Sequence, residues 1–214
     1  MTADNKASPR RKYNSTRRRQ NAEQTRREIL DAARPQFLQY GWHGAGMREI
    51  ARDAGVSVET VYSNFPSKAA VFKEVLNVLV VGDDQPIPLS ERPAFRAATV
   101  GPLTERIKAL ACVQAEVHGR VARLRMVLRE AARADDDLAE IERMVLAEER
   151  EQARLNLQTL LPDPSDQDIE GMQALYSSDL YVLLTEIRGW TPEQYISWIS
   201  ELSLAALTAK GVVQ

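Results

Sequence analysis

The residues that build metal centres and covalent catalysts are scarce in this chain. A single cysteine, Cys112, permits no internal disulfide and no cysteine-based zinc cluster; it fits a reducing cytoplasm and reads as a small core residue on a helix. The two histidines, His43 and His118, have no His, Cys or acid at metal-ligand spacing. No glycine-rich phosphate loop, nucleophile elbow or Ser/His/Asp arrangement occurs, so neither an enzyme nor a cofactor nor a metal is expected. The longest uncharged apolar stretches, Val75 to Gly82 and Leu202 to Ala209, fall far short of a membrane span, and no membrane partner is expected. The N-terminus is polar and basic without an apolar h-region, so a cytoplasmic protein without a secretory signal is expected.

Charge is plentiful but unevenly spread. The 214 residues hold 28 Lys and Arg against 30 Asp and Glu, a formal net charge of -2. Residues 1–72 nonetheless carry 13 basic against 7 acidic side chains, and residues 73–214 carry 15 against 23. A basic first third points to an anionic partner that the overall balance hides. Within it, residues 1–22 combine Arg10, Arg11, Lys12, Arg17, Arg18 and Arg19 with Ser, Asn and Thr and almost nothing to bury, which predicts a disordered arm. Such an arm is either a solvated tail or a reach toward phosphates or a minor groove.

Residues 46–65 carry the most specific pattern. Met47, Ile50, Ala51 and Ala54 fall at i, i+3, i+4 and i+7, one apolar face of a short helix. Gly55 supplies a left-handed stop, Ser57 is placed to cap the next helix, and Val61 and Phe65 point back at Ile50 and Ala51. Val58, Glu59, Tyr62 and Ser63 are left facing outward. The pattern fits a helix-turn-helix whose second helix enters a major groove, with an ordinary αα-corner with a solvated face as the lesser alternative. Two features favour the first: Tyr62 sits mid-face with little to pack on, and Lys68 in the first turn after a Ser67 cap opposes the helix dipole, which a phosphate outside the fold would explain.

These residues resemble the tetracycline-repressor (TetR) type of bacterial transcriptional regulators. The resemblance rests on Thr25-Arg26, Ile29-Leu30, Ala32-Ala33, Phe37, Tyr40-Gly41, Ile50-Ala51, Ala54 through Ser57, Thr60 through Tyr62 and Phe65 through Lys68, in order and spacing over about fifty residues. It implies that Thr60, Tyr62 and Lys68 contact phosphates while Val58, Glu59 and Ser63 lie against base edges, with Arg48, Ser57 and Asn64 completing the DNA-contact set. The chain departs from the pattern in three places. Gly46 stands where the family usually has a capping Thr or Ser. Pro35 falls inside the first helix, where it removes the bond to the Asp31 carbonyl at a cost of about 3 kcal/mol unless a kink absorbs it. Glu59 replaces a frequent Gly; it is either a specificity determinant, since Glu accepts from a cytosine amino group, or an exposed helix-supporting charge.

The rest reads as helix upon helix, with no alternating strand pattern. A fourth helix is expected over 67–80, broken by Gly82 to Pro88; a short one follows over 90–99. Further helices are expected over 104–118, from 119 or 120 to 134, over 138–161, from 166 or 168 to 188, and from Thr191 to about 209. Asp135, Asp136 and Asp137 read as a helix start rather than a metal site. Met126, Met144 and Met172 read as core, and His118 as a satisfied histidine or a pocket wall. The predicted fold is all-α: a three-helix DNA-binding unit within residues 23–83 and a helical bundle over 84–214.

The last two helices are apolar on more than one face, which fits either an intramolecular core or a second packing partner. In the family that partner is the same helix pair of a second subunit, and Leu180, Leu184, Trp198, Leu202 and Ala206 are the expected interface. The resemblance implies a homodimer on a palindromic double-stranded operator, most simply a repressor released by a small-molecule effector whose identity the sequence does not give. The alternative is an effector-independent activator or architectural dimer of the same fold.

Overall fold

The computed structural model describes residues 10–82, 93, 96, 98–161 and 163–211, with side chains from 17 onward. Among these residues there is no strand, and no helix is long and apolar enough to cross a membrane. Two compact units divide the chain, Met1–Val75 and Leu76–Gln214.

The first unit holds α1 (Arg10–Gly44), α2 (Met47–Asp53), α3 (Val58–Asn64) and the opening turns of α4 (Lys68–Val81). Residues 10–22, expected to be disordered, are helical. The segment is rich in Arg, a good helix former, the helix has no Pro or Gly before Pro35, and it carries an Arg19–Glu23 pair one turn apart at 2.9 Å. The helix also runs through Pro35; its only non-helical residue is Gly41, at φ 65, a value that glycine adopts without strain. That turn brings Trp42 back onto Phe37 and Phe72, with ring centroids 6.1 and 5.8 Å away, and Phe37 meets Phe72 edge-on at 4.9 Å. Such aromatic pairs contribute roughly 0.5–1.5 kcal/mol each beyond their buried area.

The second unit is built on α5 (Leu103–Ala131), one continuous helix where two were expected. Gly119 does not break it: a Cβ there would lie 3.3 Å from the Tyr181 hydroxyl, so the glycine serves close packing. Asp135 caps α6 (Asp136–Gln158) by accepting from the Leu138 N–H, and Asp136 and Asp137 occupy its first turn. Among the described residues no group of three or more metal-ligating side chains forms.

The helix expected to reach Arg188 is interrupted. It becomes α7 (Asp166–Leu175), then α8 (Ser178–Val182), which passes into a π-helical turn at Leu183–Ile187. Ser177 caps α8, and the buried His118 of α5 holds both sides of the break: its Nε2–H donates to the Tyr176 carbonyl at 2.9 Å, and Nδ1 accepts from the Ser178 hydroxyl at 3.2 Å. Thr191, with Pro192 at the first position and Gln194 completing a capping box, starts α9 (Pro192–Ala209) as the sequence predicts. Tyr181, Tyr195, Ile199 and Ala111 form the centre of the core of this unit. Cys112 is half-buried rather than a core residue, and Met126 and Met144 are exposed. The helix expected over 90–99 lies largely outside the described residues.

Candidate functional site

Helix α3 owes its position to the turn before it and to Arg26 of α1. Gly55, at φ 68, lets the Val56 N–H return to the Ala51 carbonyl (3.0 Å) and its own N–H to Arg52 (3.1 Å), a double closure of α2. Ser57 then accepts from the Thr60 N–H at 3.1 Å and starts α3. Val61 and Phe65 are buried with Ile50 and Ala51. Arg26 of α1 closes the far end: it donates to the Asn64 carbonyl at 3.2 Å, pairs with Glu74 at 3.0 Å and lies 4.2 Å over the Phe65 ring.

A second cation of this unit, Lys68, expected at a phosphate, is engaged within the fold. Its ammonium donates to the Trp42 carbonyl at 2.6 Å and the Ala45 carbonyl at 3.1 Å, and stands 4.1 Å over the Trp42 ring. The charge that opposes the start of α4 complements the end of α1, where free carbonyls concentrate negative potential. Lys68 therefore ties α4 to α1 inside the fold.

The face of α3 away from the core carries the remaining candidates. Glu59, Tyr62 and Ser63 are exposed, Tyr62 by 51%, and Val58, Thr60 and Asn64 are half-buried. The small polar groups are already held: Ser63 donates to the Glu59 carbonyl (2.7 Å), Asn64 to the Thr60 carbonyl (2.8 Å), and the Thr60 and Ser57 hydroxyls share a bond of 3.0 Å. The Glu59 carboxyl lies below the usual carboxylate range because its own backbone N–H, and next the Ser57 hydroxyl, hydrogen-bond to it. It is charged and anchored over the helix start. Arg48 is exposed on α2, as are Arg17, Arg18 and Arg19 on α1. The side chains of Arg10, Arg11 and Lys12 lie outside the described residues. Gly46 leaves α2 without a side-chain cap, and a Glu49 carboxylate oxygen lies 2.0 Å from where a Cβ at 46 would stand.

In the second unit a cavity of about 280 Å³ is lined by α5 and α6, by Met172 and Tyr176 in and after α7, and by Leu76, Asn77 and Val80 of α4. His118 is on its wall and neutral, because burial, only partly offset by the Tyr176 carbonyl, lowers its pKa to about 4. Next to the cavity, Arg120 closes the last turn of α4 by donating to the carbonyls of Leu79 (2.8 Å) and Val80 (3.1 Å).

Of the expected dimer residues, Leu180, Leu184 and Trp198 are half-buried and pack on the core of their own unit, while Leu202 and Ala206 are exposed. Leu183 (40%) and Ile187 (65%), which belong to the same apolar stretch but not to the expected interface set, are the more open apolar side chains. The π turn, closed by the Arg188 N–H on the Leu183 carbonyl (3.0 Å), turns them outward, and no α-helical periodicity signals it.

The fold and this geometry define an all-α protein with an N-terminal helix-turn-helix. The model of the family "Bacterial regulatory proteins, tetR family" matches residues 29–75. The helix-turn-helix regulator UidR of Escherichia coli K12 is 38% identical over 55 residues, 26% of this chain and 28% of UidR. The activator FasR of Mycolicibacterium smegmatis is 43% identical over 54 residues, 25% of each chain. These matches thus span about a quarter of the length of the curated relatives. Over most of the chain the likeness is one of fold. A solved chain from Pseudomonas aeruginosa PAO1, described as a transcriptional regulator, superposes with a TM-score of 0.68 at 20% identity, covering 89% of this chain and 93% of that one. A regulator from Rhodococcus sp. Rha1 gives 0.60 at 18% identity, covering 86% and 96%. Over residues 29–75 the chain is thus similar to the TetR family, and beyond them it shares the fold of these solved regulators.

Proposed function

We propose that this protein is a DNA-binding transcriptional regulator that acts as a homodimer on a palindromic operator and is released by a small molecule. The observation that carries the reading is the outward face of α3, where Tyr62, Glu59, Ser63 and Val58 stand on a short helix fixed at one end by Ser57 and at the other by Arg26. A rigid exposed helix is what direct readout requires, since each base pair presents a distinct donor and acceptor pattern in the major groove. Tyr62 and Thr60 act on phosphates, Glu59, Ser63 and Val58 on base edges, and Arg48, Ser57 and Asn64 frame them. The basic stretch Arg10 to Arg19 extends the contact to the backbone as a helix rather than a flexible arm.

Release follows from the cavity in the second unit. Three residues of its wall, Leu76, Asn77 and Val80, belong to α4, the helix that starts at Lys68. A ligand that displaces α4 changes the separation of two recognition helices, which must match half-sites about 34–36 Å apart. Trp198, Leu202, Ala206, Leu180 and Leu184, joined by Leu183 and Ile187, form the subunit contact. The protein acts in the cytoplasm, by binding rather than catalysis.

Fluorescence anisotropy with the DNA flanking the gene tests the reading. A palindromic fragment bound by a particle of about twice 24.0 kDa, and released by cell extract, is expected. Specific binding by a monomer overturns the dimer, and absence of any bound fragment overturns the regulator.

A further inference from the structure

The charges on the cavity wall do not balance. Among the described residues the cavity presents one cation, Arg125, and that guanidinium is already engaged: Nη1 donates to Glu142 at 2.6 Å, and Nη2 lies 3.3 Å from Glu149. Glu142 also takes Arg129 at 3.4 Å, and Arg129 reaches on to Asp179. The linked set Arg125, Arg129, Glu142, Glu149 and Asp179 therefore holds two positive charges against three negative ones. Glu148 adds another carboxylate to the wall and has no salt bridge among the described residues. His118 is neutral and supplies no compensating charge. The other polar groups of the wall are mostly amides, among them Gln114, Gln152 and Asn156, and the rest of the surface is apolar.

We infer that the ligand of this cavity is an organic cation, a protonated or quaternary amine on an apolar body, with its positive charge held between Glu149 and Glu148. The inference rests on the proposed role of the cavity as the effector site. An anion would meet a wall of net negative charge whose one guanidinium is already taken by two carboxylates. A neutral ligand would displace water from Glu149 and give it no charge in return. An ammonium does both, because charge-assisted hydrogen bonds to a carboxylate strengthen as water leaves. Burial raises the Glu149 carboxyl above the ordinary value, against the pull of Arg125, and an ammonium beside it would favour its charged form. At about 280 Å³ the space suits a single ring with a short chain.

Three probes with one body and different heads separate the alternatives: 4-phenylbutylamine, 4-phenylbutanol and 4-phenylbutyrate, titrated calorimetrically into the full chain at neutral pH. The amine is expected to bind at least about tenfold more tightly than the alcohol, the worth of one charge-assisted bond, and the butyrate most weakly. Glu149→Gln should bring the amine down to the alcohol. Should that variant unfold because Arg125 loses a partner, Glu148→Gln, altered at an exposed position, should reduce the amine preference in a folded protein. Butyrate binding most tightly, amine and alcohol binding alike, or a preference that survives both substitutions overturns the inference. Operator binding is read separately. An amine that binds with the expected preference but leaves DNA bound supports the ligand class and counts against the effector role. Release of DNA by cell extract without any amine preference overturns the ligand class alone.

Discussion

The two units use buried and half-buried charge in opposite ways. In the N-terminal unit the cations Arg26 and Lys68 each engage backbone carbonyls and an aromatic ring, Arg26 with Glu74 as well, and Arg26 holds the end of the helix proposed to meet DNA. In the C-terminal unit Arg125 is buried among carboxylates beside a cavity, and the negative charges outnumber the positive. A cation on a carbonyl cluster leaves no charge seeking a partner, and the result is a rigid local frame. A network with surplus carboxylate, by contrast, is unfinished in a way that a cationic ligand completes. The first arrangement suits a surface that must keep one shape, the second a site whose occupancy changes.

The strongest test of that contrast is Lys68→Met. If Lys68 is internal, its loss removes two charge-assisted bonds and should destabilise the N-terminal unit by about 3 kcal/mol in urea melts. The dependence of DNA affinity on salt should stay as it is. A stable variant with a salt slope lower by about one would return Lys68 to the phosphate.

In the C-terminal unit the corresponding probe is His118. Its folded pKa of about 4 lies below the ordinary 6.5, so between these values the unfolded chain takes up a proton that the folded one refuses. Stability contributed by the neutral ring is therefore present above pH 6.5 and falls as pH drops toward 4, by up to about 3 kcal/mol. Thermal melts over that window should show wild type losing more stability than His118→Gln. Parallel curves would mean that His118 is hydrated and not held neutral.

Smaller effects sharpen the DNA-facing side. Glu59→Ala and Ser63→Ala should change which bases are tolerated, by roughly 1–3 kcal/mol at the affected position, while Tyr62→Phe should weaken all sequences alike. Uniformly tighter binding of Glu59→Ala would make that anchored carboxylate a repulsive charge and nothing more.

Tyr195 supplies the smallest expected change. Its hydroxyl is fully buried without a hydrogen-bond partner among the described residues, and burial raises its pKa. Tyr195→Phe should stabilise the C-terminal unit by about 1 kcal/mol in chemical denaturation, since an unsatisfied buried hydroxyl is costly. A destabilised variant would point to a water or ligand on that oxygen.

What could be read in the sequence follows the range of the interactions. The helix-turn-helix was legible residue by residue because its determinants are local: apolar spacing, a left-handed glycine at 55 and caps at Ser57 and Ser67. The start of α9 was legible for the same reason, with Thr191, Pro192 and Gln194 in consecutive register. The length of α5 was not, because Gly119 looks like a helix end until Tyr181 is seen against it. The break before α8 was equally hidden, since His118 makes it from about sixty residues away in the chain.

The sequence by itself therefore determined the all-α class, the helix-turn-helix and the residues on its outward face, since periodicity and capping act within a few residues. Tertiary structure alone decided that Lys68 turns inward, that Arg26 holds α3, that a π turn exposes Ile187, and that Arg125 lies among carboxylates at a cavity. The contacts of Lys68, Arg26 and Arg125 depend on which distant carbonyl, ring or carboxylate folding brings within reach, and no local pattern encodes that distance; the π turn is local but departs from the α-helical period by which the sequence is read.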